Sequence, residues 1–497
     1  MKNKSTIYGN CNPQLAALFA SAGPPTKVLC VALDYAKEKH TALICDGGGR
    51  LLHKSFPVQN SAQGAQGLVE QVRQCAKQRH VKPEHVFFGG EDCPSYAENF
   101  VRRLRQQEYL VVGVNAWEAK QQRSNFAASN DSLDLLGVAK CCLNQRGQTL
   151  EDWPAEYSNL WLATRNRAQL VGQRTALSNR IHTYVDQLVP GFLDAAKSGI
   201  SPFGQASLEL MAERFSPQQL RRRSRKALVC WLRQRGVDQP EQAADQLKAL
   251  VKDAMEPAPD QVALLQRSLA QLVKLYEEMS AAIGLMDREL AHWLARTPAA
   301  FLTSIDGIGI TLAALWTAEL GPTQQWRPVR SLCAYAGVVP RIKQTGGPDR
   351  APVTGPPQRR CNTRLKNALL QAVEKVRQWD RADLLQRAQH LEEQGSHVEF
   401  GMAKWLLRLG QYLVRNHAVY RPKALMGPDT PKADLASYYQ GLWGKLIEKW
   451  KAKADLKDAF SAAHPLGQWR KMVQQLYALK LPLPQGRKGQ KASAWAP

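Results

Sequence analysis

The sequence holds ten cysteines, yet no two of them form a CxxC pair: Cys11, Cys30, Cys45, Cys75, Cys93, Cys141, Cys142, Cys230, Cys333 and Cys361 are scattered. That scatter argues against a zinc finger and against a disulfide framework. It predicts buried, reduced thiols in a cytosolic protein. The opening residues, MKNKSTIYGNCNPQ, lack an apolar signal core. No apolar run approaches the roughly 18 residues that a membrane span needs. The expectation is a cytoplasmic protein with no membrane partner. Negative charge is also in short supply. There are 43 acidic residues against 67 lysines and arginines, a formal charge of +24.

A surplus of that size attracts polyanions at long range, and nucleic acid is the partner it points to first. An anionic membrane surface or a merely basic soluble enzyme are the alternatives. With 497 residues, the chain has room for two to four domains, and 44% hydrophobic content suffices for real cores.

Residues 27–145 alternate between strand and helix signals. KVLCVALD reads as an apolar strand ending at Asp34, and TALICDGGGRLLHKSFPV as two strands around a glycine turn. SAQGAQGLVEQVRQCAKQR reads as a serine-capped helix, HVFFGGED as a strand, SYAENFVRRLRQQ as a helix and YLVVGVN as a strand. A hairpin followed by βα units predicts a mixed sheet flanked by helices. Strand signals vanish over 155–297, where two long amphipathic segments predict a helical bundle or hairpin, with the densest basic run at Arg221 to Lys226. Residues 298–420 open with a helical hairpin around Gly307 and Gly309, and their Pro- and Gly-rich stretch 340–360 reads as a loop. Residues 421–497 read as a basic helical tail whose Trp443, Trp450 and Trp469 are packing anchors and whose end is disordered.

Against this basic background, Asp131 and Asp134 stand three apart in SNDSLDLLGVAK, a helical segment, so they share one face. Carboxylates gather against electrostatic cost when a cation sits among them, and hard oxygen ligands suit magnesium or manganese. Asp34 and Glu91 each end a predicted strand. If those strands are neighbours, four acids can hold two metals about 4 Å apart, the arrangement that cleaves phosphodiesters. Taken singly, each acid has a plainer reading: Asp131 as a helix cap, Asp134 as a first-turn acid, Asp34 as a turn former.

VALDYAKEKH, GGEDCPSYAENFVRRLRQQEYLVVGVNAWEAK and NDSLDLLGVAK resemble the RuvC-like (RNase H-like) DEDD domain of a transposase family. That family includes the Piv/MooV invertases and the bridge-RNA-guided insertion-sequence recombinases. The resemblance places its four acids on Asp34, Glu91, Asp131 and Asp134, with Ser129–Asn130 where a lysine–threonine pair is usual. NLWLATRNRAQLVGQRTALSNRIHTYVDQLVPG looks like the family's linker helix. FLTSIDGIGITLAALWTAELG, SLCAYAGVVPRIKQTGG and CNTRLKNALLQAV look like its C-terminal domain. The implied architecture is an α/β RuvC-like domain over 27–145, a helical linker over 155–297, a C-terminal transposase domain over 298–420 and the basic tail.

In that family a serine of the C-terminal domain links covalently to DNA, and here the matching position is Thr345, in KQTGG. A threonine hydroxyl can act as a nucleophile, although its methyl crowds the attack. Thr345 can equally be a turn residue before two glycines. Arg341, Lys343, Arg359, Arg360, Arg364 and Lys366 flank it and can clamp phosphates; Arg221, Arg222 and Arg223 can do the same for RNA, or form a solvated face. The resemblance implies an RNA-guided recombinase that takes DNA and a guide RNA and assembles as a homodimer or homotetramer. The threonine keeps open a Tas-like RNA-guided nuclease that cuts with the four acids alone, and a non-catalytic nucleic-acid-binding protein is the third expectation.

Overall fold

The computed structural model describes residues 11–91, 94–123, 131–213, 215–252, 254–323, 326, 328–343, 353–357, 361–378, 382–393 and 397–483; the side chains of 94–95, 131, 341–343, 353–354, 356–357 and 382–385 lie outside that description. The chain divides into two compact units, 1–152 and 153–497.

The first unit is a six-stranded mixed sheet with helices on both faces. Its elements run α1 (Pro13–Ala22), β1 (Leu29–Asp34), β2 (Lys39–Asp46), β3 (Leu51–Gln59), α2 (Ala62–Arg79), β4 (Val86–Glu91), α3 (Pro94–Arg105), β5 (Leu110–Val114), α4 (Ala116–Gln121), α5 (Asp131–Leu143) and β6 (Gln148–Thr149). The strand order is β3-β2-β1-β4-β5-β6. β1 pairs antiparallel with β2 and parallel with β4, and β4 pairs parallel with β5. This is the RuvC-like arrangement the sequence predicts, and each predicted strand and helix falls where its pattern places it. Ser61 caps α2 by accepting from the Gly64 amide at 3.0 Å.

The period of two in β1 and β4 sorts their side chains between two cores. Leu29, Val31, Leu33, Val86 and Phe88 join Leu68, Val72, Phe100 and Leu104 on the α2/α3 face. Cys30, Ala32 and Phe87 join Leu15, Leu135, Val138 and Cys142 on the other face. Nine cysteines are described and all are free; Cys30, Cys45, Cys141, Cys142 and Cys333 are buried. Burial, and then its neighbour Cys142, push the Cys141 thiol up to about 12. Such thiols are inert packing groups.

The second unit is built on two long antiparallel helices, α6 (Ala155–Leu188) and α12 (Pro259–Ala295). Between them come α7 (Ala195–Ser198), α8 (Gln205–Ala212), α9 (Pro217–Arg222), α10 (Arg225–Gln234) and α11 (Pro240–Lys252). These close a separate core at the far end of the pair, around Ile181, Val185, Phe192, Leu247 and Leu269.

The rest runs through a 3₁₀ helix at Pro298–Ser304, then α13 (Ile310–Leu320), α14 (Val329–Tyr335), β7 (Pro340–Lys343), β8 (Val353–Pro357), α15 (Thr363–Gln378), α16 (Ala382–Glu393), α17 (Val398–Arg415), α18 (Lys432–Lys451), α19 (Leu456–Ala459) and α20 (Pro465–Tyr477). One core takes Leu160 and Leu290 from the long helices, Trp316 from α13, Leu406 from α17, and Trp443, Trp450 and Trp469 from the C-terminal helices. Those tryptophans are therefore packing anchors.

Two sequence expectations change here. The first arm of the hairpin around Gly307 is a 3₁₀ helix, and Gly307 has φ +84° with an added Cβ falling 2.7 Å from the Val376 amide nitrogen. The stretch after Pro340 is not all loop, because β7 and β8 pair antiparallel with Ile342 opposite Thr354. Proline is tolerated there since Pro340 and Pro357 stand at the strand ends and Pro356 falls in the register shift beside them.

Candidate active site

Asp34 and Glu91 are the last residues of adjacent parallel strands. Leu33 lies opposite Gly90, so the two acids follow side by side at the carboxyl ends. By strand parity both belong to the face that carries Cys30, Ala32 and Phe87, which is the face covered by α5. The helix reaches that face closely because Gly89 has no side chain: a Cβ there would overlap the Cys142 sulfur. Gly137 does the same between α5 and α4, where a Cβ would overlap the Ala119 carbonyl oxygen. Leu135, Val138 and Cys142 pin α5 to the sheet, and Asp134 stands at the margin of that stripe, 21% exposed.

The Asp34 and Asp134 carboxylates act electrically on Glu91. Burial is the first cause holding the Glu91 carboxyl above its ordinary range; the Asp34 and Asp134 carboxylates add to it, and the Arg123 guanidinium pulls it partway back. Arg123, in the turn after α4, makes an ion pair with Asp134, and its side chain is only 9% exposed. Asp131 is the first residue of α5, one turn before Asp134 on the same face; its side chain lies outside the described residues.

The donor set is entirely carboxylate oxygen, the chemistry that a small divalent cation prefers. Like charges brought together in partial burial are relieved by such a cation, so the residues fit it. Among the described residues, no three potential ligands are disposed to hold an ion by themselves. Asp34, Glu91 and Asp134, with Asp131, are the residues that would hold it.

Thr345, Arg359 and Arg360 lie outside the described residues, and Arg341 and Lys343 are described only as backbone of β7. Arg364 is exposed on α15, while the Lys366 ammonium lies 5.4 Å from the Phe400 ring centre. Asn362, two residues after Arg360 in sequence, is anchored by donating to the buried Glu319 carboxylate at 2.8 Å and to the Tyr335 hydroxyl at 2.7 Å. Arg165 also reaches Glu319, at 2.8 Å.

The basic run at α9 and α10 is largely occupied internally. Arg221 donates to the Val251 and Ala254 carbonyls and pairs with Glu256; Arg223 pairs with Glu213, and Arg225 grips Asp245 through two nitrogens. Trp231 has the Arg235 and Arg223 guanidinium carbons 3.8 and 5.4 Å from its ring centre. Arg222 and Lys226 remain exposed.

Sequence reasoning missed Arg123, which carries no motif of its own. It also missed the two glycines, although paired glycines at Gly89–Gly90 inside a strand are a signal of close backbone approach.

Residues 31–190 match a family profile described as a transposase, the DEDD type of IS110. Residues 299–389 match the profile described as "Transposase IS116/IS110/IS902 family". The first match runs from β1 to the end of α6 and contains all four acids. The chain is also similar to the "Insertion element IS116 uncharacterized 44.8 kDa protein" of Streptomyces clavuligerus, 24% identical over 323 residues that cover 64% of this chain and 77% of the relative. α7 to α12 and α17 to α20 fall outside both family matches.

Proposed function

We propose that this chain, which carries IS110/IS116-family transposase domains and so is an enzyme of DNA cleavage or strand transfer, is an RNA-guided DNA recombinase that works with magnesium or manganese. The observation that carries the reading is the placement of Asp34 and Glu91 at the ends of paired strands on the face that α5 covers, with Glu91 held above its ordinary range by burial and by Asp34 and Asp134. Asp34, Glu91, Asp131 and Asp134 would hold the divalent ion, which supplies Lewis-acid activation of a hydroxyl and charge stabilisation at the phosphate. Thr345 takes the nucleophile's place: its hydroxyl attacks a phosphorus, a phosphothreonine bond forms as a P–O bond to one DNA strand breaks, and that strand leaves as a hydroxyl. Attack by a second DNA hydroxyl reverses the step and releases the threonine.

The net charge of +24 suits DNA and an accompanying guide RNA. Arg341, Lys343, Arg359, Arg360, Arg364, Lys366 and the exposed Arg222 are the candidates to meet phosphates, with a homodimer or homotetramer as the working assembly. Such contacts position nucleic acid without reading its sequence, which leaves the reading to a guide.

The second reading is an RNA-guided endonuclease without strand exchange, and threonine in the serine's position is what favours it. Two experiments test the pair. The protein is expressed with its native flanking DNA, and co-purifying RNA is sequenced. One structured RNA with loops matching element ends and target supports the recombinase, short processed repeat RNAs support the nuclease, and no enriched RNA overturns both. Thr345→Ala then abolishes joining in a recombinase and leaves a nuclease intact, whereas Thr345→Ser preserves both.

A further inference from the structure

Among the described residues, Arg123 is the cation that pairs with an acid of the cluster, and it belongs to neither β1, β4 nor α5. Its backbone is fixed by the turn that ends α4, where the Arg123 amide donates to the Lys120 carbonyl at 3.3 Å. Its stem runs along α5 past Gly137, whose absent Cβ would lie 3.3 Å from the Arg123 Cγ. Its guanidinium ends on Asp134 Oδ1, in an ion pair whose arginine is 9% and whose aspartate is 21% exposed. A surface arginine would contribute little here; a buried one facing carboxylates is a strong local field.

We infer that Arg123 is the resident counter-cation of the acidic site: it holds Asp134 when no divalent ion is bound and competes with that ion for the Asp134 carboxylate. This rests on the reading of the four acids as metal ligands. Competition follows from two facts. A divalent ion at these acids brings two positive charges close to a guanidinium in a partly desolvated place, where like charges repel most. The ion also wants the Asp134 carboxylate, whose Oδ1 Arg123 now contacts. Arg123 is thus a positioning residue that sets metal affinity. Without an ion, it lowers the repulsion among the acids, as its downward pull on Glu91 indicates. With an ion, it must turn away or share one oxygen of Asp134.

The test is Mn²⁺ binding to the full chain without nucleic acid, followed by calorimetry and by the spin-resonance signal of free Mn²⁺, together with melting temperature. Arg123→Gln is expected to bind Mn²⁺ about tenfold more tightly than the parent. It should melt lower than the parent without metal and gain more from added Mn²⁺. Arg123→Lys, which keeps the charge, should stay within about threefold of the parent. Equal or weaker Mn²⁺ binding by Arg123→Gln overturns the inference and leaves Arg123 as a plain tie between α4 and α5. Asp34→Asn separates the two levels: if it binds Mn²⁺ as well as the parent, the metal reading of the acids fails first, whatever Arg123 does.

Discussion

The Lys449 ammonium lies 2.6 Å from the carbonyl oxygen of Thr303 and 2.8 Å from that of Ile305, the two carbonyls that end the 3₁₀ helix before Gly307. It also reaches the Ile308 carbonyl at 3.4 Å. Its neighbours one helical turn away join in: Lys445 pairs with Asp306, and Lys453 meets Asp287 and the Thr311 hydroxyl. A helix outside both family matches thus supplies the donors that the turn's carbonyls need, and the C-terminal helices are part of the domain they cover.

Lys449→Met keeps the stem and removes the donors. Leaving those carbonyls without their partner should cost about 1–3 kcal/mol and lower the melting temperature by about 2–6 °C. Lys471→Met, at an exposed lysine of α20, is the control and should change stability by less than about 0.5 kcal/mol. Equal melting of the two variants would show that the turn does not depend on α18.

Asp287 makes a pH-dependent tie. Burial pushes its carboxyl up, but the hydrogen bonds and charges of Arg167 and Lys453 outweigh that and hold it below its ordinary value. The contacts are 2.6 Å to Arg167 and 2.9 Å to Lys453. A carboxylate with a depressed folded value contributes stability above its ordinary value of about 3.9, and loses it as the pH falls through the depressed one. Asp287→Asn should therefore be less stable than the parent at pH 7, by about 1–3 kcal/mol, and the gap should close below about pH 4. Urea melts at pH 7, 5 and 3 measure it; a gap that stays constant would place the effect in packing.

How far these features can be read from sequence varies with the distance between partners. Asp34 and Glu91 were legible because each ends a continuous apolar run that reads as a strand, and in the folded sheet strand parity fixes the face on which they emerge. Helical spacing likewise placed Asp134 one turn beyond Asp131. Arg123 was illegible because its destination depends on how α4 docks against α5 at Gly137, a tertiary event. The run at Arg221–Arg223 reads as a polyanion surface, but its acidic partners lie elsewhere in the chain: Glu213 is 10 residues from Arg223, and Glu256 is 35 from Arg221. β7 and β8 were hidden by prolines and glycines whose usual meaning is loop.

The acids should be indispensable for cutting and dispensable for folding. Asp34→Asn, Glu91→Gln and Asp134→Asn should each lower DNA cleavage by about 10³-fold or more, the equivalent of several kcal/mol of lost transition-state stabilisation. Chelation of divalent ions should silence the parent, and added magnesium or manganese should restore it. Glu91→Gln should melt no lower than the metal-free parent, because it removes a charge that burial and two carboxylates disfavour. Cleavage that survives in any of these variants would remove that acid from the site.

The position of Asp134 depends on how deeply α5 seats, and Gly89 sets that depth. An alanine at 89 would drive its Cβ into the Cys142 sulfur, on a sheet face where Phe87, Val112 and Val138 leave little room to yield. Gly89→Ala should thus cost about 2–3 kcal/mol and also reduce cleavage, since the helix that moves carries two of the acids. Cys142→Ala removes the obstructing sulfur and should cost only about 1 kcal/mol alone, with cleavage preserved. If the clash is the cause, the double variant should be more stable than the sum of the single changes predicts, by about 1 kcal/mol or more, and its cleavage should return toward the parent's. Strict additivity would mean that the glycine serves the strand's own backbone and that the seating of α5 is set elsewhere.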